Sequence, residues 1–274
     1  MTNMKIMAAG KIQLTEEKET LFIPLYGKAM DFRSKHSVLN DHTASDIVER
    51  IGIDLSKHKR PGGRISAVRA KQYDAWAKDF FAKNANAVAI HLGCGLDARA
   101  IRIEPPVSVM WFDVDFPEVI DLRRKFFPET VGYRMIASSI TTEDWLEAIP
   151  FDRPALIIAE GVFEYLSRAE VTTLLDRLTD HFSHGQIAFD IMNSASSGSR
   201  KEKLKETTGA TIRWTVDDIG EADKLNPRLT RVETVPLFKS AFMGELPLGF
   251  RVIFGLVALL PKLRNGMRLL RYEF

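Results

Sequence analysis

The residues best suited to chemistry lie together in His91-Leu92-Gly93-Cys94-Gly95-Leu96-Asp97-Ala98-Arg99, which follows an apolar run and opens a helical pattern. Glycines at 93 and 95 let the backbone turn tightly and approach a ligand that a side chain would exclude. Taken alone, Gly93-x-Gly95-x-x-Ala98 satisfies a dinucleotide fingerprint, with Asp113 about 20 residues further on. Such a pattern is weak by itself. Asp113 and Asp115 at the end of the second apolar run can accept hydrogen bonds from ribose hydroxyls, and Glu160, at the end of a later run, adds another acid facing the same edge.

Charge separates the cofactors that use such a turn. A pyrophosphate at the helix N-terminus would be repelled by Asp97, whereas S-adenosylmethionine carries no phosphate and brings an ammonium and a sulfonium. Asp97, Asp113, Asp115 and Glu160 around a cationic ligand therefore favour S-adenosylmethionine. An ordinary strand-to-helix turn with Asp97 as a cap remains the structural alternative, and an NAD-dependent oxidoreductase remains the chemical one.

The elements that must position these residues alternate. Apolar runs at Val88–Leu92, Val107–Phe112, Tyr133–Ala137, Pro154–Ala159 and Gln186–Ile191 read as strands, with Thr230–Phe238 and Leu269–Phe274 as late additions. Helical patterns lie between them at Phe116–Phe127, Thr142–Ala148 and Arg168–Phe182, the last opened by a Ser167…Glu170 capping box. The alternation predicts an α/β fold around a mostly parallel, seven-stranded sheet spanning residues 86–274. Residues 1–85 read as an N-terminal helical cap over the sheet's carboxyl edge, with helices at Thr20–Ser34, Thr43–Ile51 and Ala67–Ala82 and a turn at Pro61-Gly62-Gly63. The polar stretch Ser194–Lys205 reads as a mobile loop or exposed helix start.

Composition removes whole classes. The 274 residues carry a net charge of +2, too close to neutral to require nucleic acid or an anionic membrane. Cys94 is the only cysteine, so no internal disulfide or cysteine-built metal site is available, and no metal is expected. Ser56–Lys71 concentrates Lys57, Lys59, Arg60, Arg64, Arg69 and Lys71, a solvated basic loop or, less simply, a nucleic-acid contact. The N-terminus lacks the apolar stretch of a signal peptide, which suits a cytoplasmic enzyme. The most apolar run, Val252–Leu260, falls far short of a membrane span and reads as a buried helix, with an interfacial or substrate-covering helix as the alternative.

At these residues the sequence resembles the leucine carboxyl methyltransferase family, most closely its bacterial branch similar to tetracenomycin-type polyketide O-methyltransferases. The resemblance runs through Thr20–Arg33, Ala67–Asp74, His91–Arg99, Trp111–Pro117 and Ile158–Leu166. The Asp115-Phe116-Pro117 and Glu160-Gly161-Val162-Phe163-Glu164-Tyr165-Leu166 elements are its most specific parts. It implies a class I, Rossmann-like S-adenosylmethionine-dependent O-methyltransferase acting on a small polyketide-like metabolite. A protein C-terminal carboxylate, as in the eukaryotic relatives, is the alternative acceptor. By motif position Arg69 would hold the donor carboxylate, Gly93 and Gly95 would approach its backbone portion, Asp115 would take the ribose, and Glu160 would stand near its amino-acid end. Ser139, followed by Ile140, occupies the adenine position, where many relatives carry an acid.

Methyl transfer from a sulfonium is an in-line displacement that asks chiefly for alignment and exclusion of water. A carboxylate acceptor is already ionised at neutral pH, whereas a phenol gains from a base. Tyr26, Arg33, His36, His42 and Tyr165 are the acceptor-side candidates, none in a diagnostic spacing, and no catalytic base is assigned. Asp190 and Asn193 invite comparison with magnesium-dependent catechol methyltransferases, but the pair is too weak to predict an ion. Oligomeric state is silent in the sequence.

Overall fold

The computed structural model describes residues 14–52, 54 and 63–274. The turn at Pro61-Gly62 and the cations Lys57, Lys59 and Arg60 lie outside the described residues.

A 3-10 turn at Glu16–Leu21 leads into α1 (Phe22–Phe32), followed by α2 (His42–Arg50) and α3 (Ile65–Lys83). Pro24 falls in the first turn of α1, where a missing N–H costs nothing. The rest alternates: β1 (Val88–Leu92), α4 (Arg99–Ile103), β2 (Met110–Asp115), α5 (Pro117–Arg123), β3 (Tyr133–Ala137), β4 (Ala155–Ala159), α6 (Arg168–His181), β5 (Gly185–Met192), α7 (Ser194–Thr208), α8 (Ile219–Asp223), β6 (Thr230–Pro236), α9 (Leu248–Val257), α10 (Pro261–Arg264) and β7 (Met267–Glu273). Thr142–Ala148 is a 3-10 turn over Asp144–Ala148 rather than an α-helix.

Among the described residues the strands form one seven-stranded sheet in the order β3-β2-β1-β4-β5-β7-β6. Pairings among the first five strands are parallel, and β7 runs antiparallel to both β5 and β6. The expected α/β fold with a mostly parallel sheet is what forms. The chain reverses its direction of winding between β1 and β4, which opens a crevice at their carboxyl ends.

Alternate residues of each strand feed opposite layers. Ile90, Leu92, Val114, Ile157 and Phe189 meet α6 through Val171, Leu174, Leu175 and Leu178. Ala89, Trp111, Leu156, Ile158 and Ala188 meet α3 through Val68, Tyr73, Trp76 and Phe80. The third N-terminal helix is thus a layer of the sandwich as well as part of a cap. α1 and α2 pack on α5 and the turn after β1 through Leu25, Ile47, Leu96, Val119 and Ile120.

Two expectations shift, and one is resolved between its two readings. The second strand is Met110–Asp115, not Val107–Phe112, because Val109 N–H donates to Pro106 at 2.9 Å and closes a turn that leaves Val107 fully exposed. Ser194–Lys205 is a helix, because the Asn193 side chain accepts from Ser196 N–H and nucleates α7. Most of Val252–Leu260 is not buried: Val252, Leu256 and Leu259 are 54%, 62% and 72% exposed, while Phe254, Val257 and Ala258 turn toward the body of the protein.

Ser167 accepts from Glu170 N–H at 3.2 Å while Glu170 accepts from Ser167 N–H at 2.7 Å, the reciprocal cap expected for α6. Ser167→Ala should lower unfolding free energy by about 1 kcal/mol in urea titration without changing the denaturant slope.

Candidate active site

The turn after β1 begins where Gly93 N–H donates to Val114 at 2.8 Å. Gly93 sits at φ +59°, and a β-carbon there would lie 2.5 Å from Val162 Cγ2, so the position admits only glycine without rearrangement. The Asp115 carboxylate accepts from Gly95 N–H and Phe116 N–H, both at 2.8 Å, and clasps the turn to the end of β2. Beneath it, Arg123 donates to Gly95 O at 2.9 Å and Asp97 O at 2.8 Å, and its charge is met by Asp113.

A buried ion network surrounds this turn. Asp97 pairs with Lys28 of α1 at 2.7 Å and Arg102 at 3.2 Å, with Arg99 at 3.4 Å. Arg99 also binds Asp74 of α3 at 2.8 Å and Glu160, while Arg102 binds Asp74 at 2.6 Å and Asp41, the N-cap of α2, at 2.7 Å. Arg69 Nε donates to Glu160 at 2.9 Å, with Asp190 3.6 Å from its other end. Gly161, at φ +68°, lets the Arg69 guanidinium pass where a β-carbon would stand 3.1 Å from Nη2.

Burial raises the cost of charge on Asp97, but Lys28, Arg99 and Arg102 outweigh it and hold that carboxyl well below the usual range. Burial likewise opposes ionisation of Glu160, and Lys28, Arg69 and Arg99 overcome it. Asp115 has no ion-pair partner, so burial, only partly offset by its two backbone N–H partners and the charge of Arg123, pushes it up to about 6. The crevice is therefore not an uncompensated negative trap, as the strand-end acids alone suggest. It is a mixed field of paired charges.

These groups line a cavity of about 1150 Å³ at the crevice between β1 and β4. Arg69, Gly93, Gly95, Asp97, Asp115, Ser139, Ile140 and Glu160 all border it. A zwitterionic donor with a ribose fits that lining: cations and acids lie together at one end, a backbone cradle kept clear at Gly93 lies in the middle, and the carboxylate of Asp115 stands beside it. The remaining wall is mixed: Ile23, Met192, Leu204, Leu237, Phe238, Val257, Leu263 and Met267 give it an apolar stretch, and Glu164, Arg200, Glu202, Lys203, Glu206 and Arg213 add charged groups.

Residues 22–179 match the leucine carboxyl methyltransferase family. The tetracenomycin polyketide synthesis O-methyltransferase TcmP of Streptomyces glaucescens is 38% identical over 266 residues, covering 96% of this chain and 98% of TcmP. The chain belongs to the leucine carboxyl methyltransferase family. The S-adenosyl-L-methionine-dependent methyltransferase dpfgK of Gibberella zeae is 34% identical over 80% of this chain and 82% of its own. A proposed methyltransferase from Thermobifida fusca shares the fold, with TM-score 0.58 at 14% identity and 94% coverage of both chains. The protein is an S-adenosylmethionine-dependent methyltransferase with a Rossmann-like α/β fold.

Other sequence candidates of this methyltransferase fall elsewhere. Asp113 is fully buried one step deeper in β2, held by Arg123, Tyr133 and Trp111, and does not border the cavity. Tyr26 packs beside the α1–α2 core, and Arg33 is exposed and pairs with Glu49 at 3.0 Å. His36 and His42 are exposed. Among these acceptor-side candidates Tyr165 borders the cavity. Asn193 spends its amide on Ser196 N–H and Lys262 O. Among the described residues no group of three or more His, Cys, Asp or Glu is arranged to hold a metal ion. Cys94 is buried, and desolvation pushes its thiol well above the ordinary value, so it packs rather than reacts. Of the basic run, Arg64 lies over Phe250, Arg69 enters the cavity and Lys71 pairs with Glu245, three directions rather than one patch.

Sequence reasoning missed Lys28, Glu164 and Arg200, which border the cavity. Arg200 Nη2 donates to Glu164 Oε1 at 2.8 Å, and Glu164 Oε2 is buried without a hydrogen-bond partner. Glu164 lies within the Glu160–Leu166 motif, which gave the signal for it, whereas no local pattern marks the site roles of Lys28 and Arg200.

Arg99→Ala should remove the one cation shared by Asp74, Asp97 and Glu160, leaving them to Arg102, Lys28 and Arg69, and cost about 3 kcal/mol of unfolding free energy. Arg33→Ala, on an exposed pair, should change it by less than about 1 kcal/mol in the same titration.

Proposed function

We propose that this methyltransferase transfers its methyl group to an oxygen of a small, largely apolar, polyketide-like metabolite, with a carboxylate as the favoured acceptor. The observation that carries the reading is one cavity that holds both the charged donor-side groups and an apolar stretch of wall large enough for a lipophilic acceptor. Its volume, about 1150 Å³, exceeds what one drug-sized ligand requires and leaves room for two molecules side by side. The name of TcmP, which covers nearly the same length, supports the polyketide class.

Bound S-adenosylmethionine supplies an electrophilic methyl carbon on its sulfonium. In our assignment Arg69 holds the donor carboxylate, and Lys28 and Glu160 complete the amino-acid end. Gly93 and Gly95 present backbone, Asp115 accepts from the ribose, and Ser139 and Ile140 border the adenine. On the acceptor side, burial pushes the Tyr165 phenol above its ordinary value, so at neutral pH it donates a hydrogen bond and does not act as a base. Arg200 adds a cation beside it, held by Glu164. Two donors on an apolar wall suit an anionic oxygen that needs orientation and no deprotonation. As the methyl carbon bonds to that oxygen the carbon–sulfur bond breaks, and no proton moves.

A hydroxyl acceptor is the second reading, favoured by one observation: Glu164 Oε2 is a buried carboxylate oxygen with nothing to accept from. An acceptor hydroxyl would satisfy it and lose its proton to it. Glu164→Gln separates the two readings. With an aromatic carboxylic acid as acceptor, kcat should stay within about threefold of wild type; a loss of about 10²-fold would move the assignment to hydroxyl methylation. Label transfer from radiolabelled donor to metabolites of a cell extract tests the acceptor class directly, and label appearing only in protein would overturn it.

Ionised Asp115 is the form that accepts from ribose hydroxyls, so donor affinity should fall as pH drops through about 6. Between pH 7.5 and 5.5 the ionised fraction falls about fourfold, and calorimetric titration should show a matching loss of affinity. Asp115→Asn should bind weakly at both pH values with that dependence gone.

A further inference from the structure

α9 is apolar but for Arg251, yet lies at the surface. Its inner side, Phe250 and Phe254, is accounted for: the Phe254 ring stacks on Phe238 at 5.3 Å, and Arg64 covers Phe250. Its outer side is not. Leu248, Val252 and Leu256 repeat every fourth residue, and Leu259, Leu260 and Leu263 carry the stripe through α10; exposures run from 38% for Leu263 to 72% for Leu259. A helix apolar all round is normally enclosed by protein or lipid, and a contiguous stripe of this kind marks a contact surface.

The charge around the stripe selects the occupant. Between Glu245 and Glu273 the sequence has Arg251, Lys262, Arg264, Arg268 and Arg271 and no acid. Arg268 and Arg271 are committed, to Val216 O and to Asp79 with Glu233. Arg251 and Lys262 are exposed, and Arg264 is half-buried beside them. A second copy docking the same face about a two-fold axis would bring these cations against their own equivalents and bury them without an acid in the stripe. An anionic lipid surface would take the leucines into its outer acyl region and leave the cations at the headgroups. The stripe also adjoins the active site, because Val257 and Leu263 border the cavity as well as belonging to this segment.

We propose that the α9–α10 segment is an interfacial docking surface for anionic lipid bilayers, which places the apolar wall of the cavity against the membrane. No helix among the described residues is long and apolar enough to cross a bilayer, so the contact is peripheral.

Co-sedimentation of the full chain with sucrose-loaded vesicles tests this. Binding to equimolar phosphatidylcholine–phosphatidylglycerol vesicles should exceed binding to phosphatidylcholine alone by tenfold or more and fall as salt rises. Val252→Glu with Leu256→Glu should abolish pelleting, and Arg251→Gln with Lys262→Gln should reduce it to the phosphatidylcholine level. Neither pair borders the cavity, so donor binding by calorimetry should stay unchanged in both and report an intact fold. Absence of pelleting, or pelleting indifferent to the glutamate pair, would overturn the proposal. So would a dimer in light scattering that the glutamate pair dissociates, since the face would then belong to a second copy.

Discussion

The architecture of this methyltransferase depends on a buried electrostatic knot at the carboxyl edge of the sheet. Arg99 and Arg102, one helical turn beyond the glycine turn, gather Asp97, Asp74, Glu160 and Asp41 from four parts of the chain. Without these contacts the acids would carry uncompensated charge in the interior, which a protein of marginal stability does not tolerate. With them, α1, α2 and α3 are fixed to the turn that cradles the donor. The same ion pairs thus join the N-terminal helices to the sheet and set the charge the donor meets.

That arrangement divides the cavity by chemistry. At one end every acid except Asp115 has a cation partner, so the field is balanced, and Asp115 keeps its place through two backbone N–H groups. Elsewhere an aliphatic and aromatic stretch of wall stands beside Tyr165, the Glu164–Arg200 pair and the charged groups of Glu202, Lys203, Glu206 and Arg213. A donor that is itself zwitterionic belongs at the first end and a lipophilic acceptor along the apolar stretch. Displacement at a methyl carbon needs little beyond this division, since alignment and dryness supply most of the acceleration. The apolar outer face of α9 continues the acceptor end to the protein surface.

Much of this was readable from residue order. Near-continuous apolar runs over Val88–Leu92 and Pro154–Ala159 announced strands, which the structure buries on both faces, and Ser167 with Glu170 announced the start of α6. The glycines of the turn and the acids at 115 and 160 were recognisable because their roles are local to strand ends. Less was readable where neighbours far along the chain decide the outcome. Val107 is apolar and strand-like, but the Pro105-Pro106 turn consumes it. Arg33 and His36 have the right chemistry for an acceptor site, but α1 carries them past the cavity to solvent.

Sequence by itself determined the alternation of strands and helices, the backbone turn at Gly93 and the acids placed at strand ends, because each follows from periodicity or from steric freedom within a few residues. Tertiary structure alone decided how those acids are neutralised: Lys28 meets Asp97 across 69 positions and Arg69 meets Glu160 across 91, separations that no local pattern encodes. It also decided that the most apolar helix faces outward, since burial depends on what the rest of the chain leaves uncovered, and an apolar run reads the same whether protein or lipid covers it.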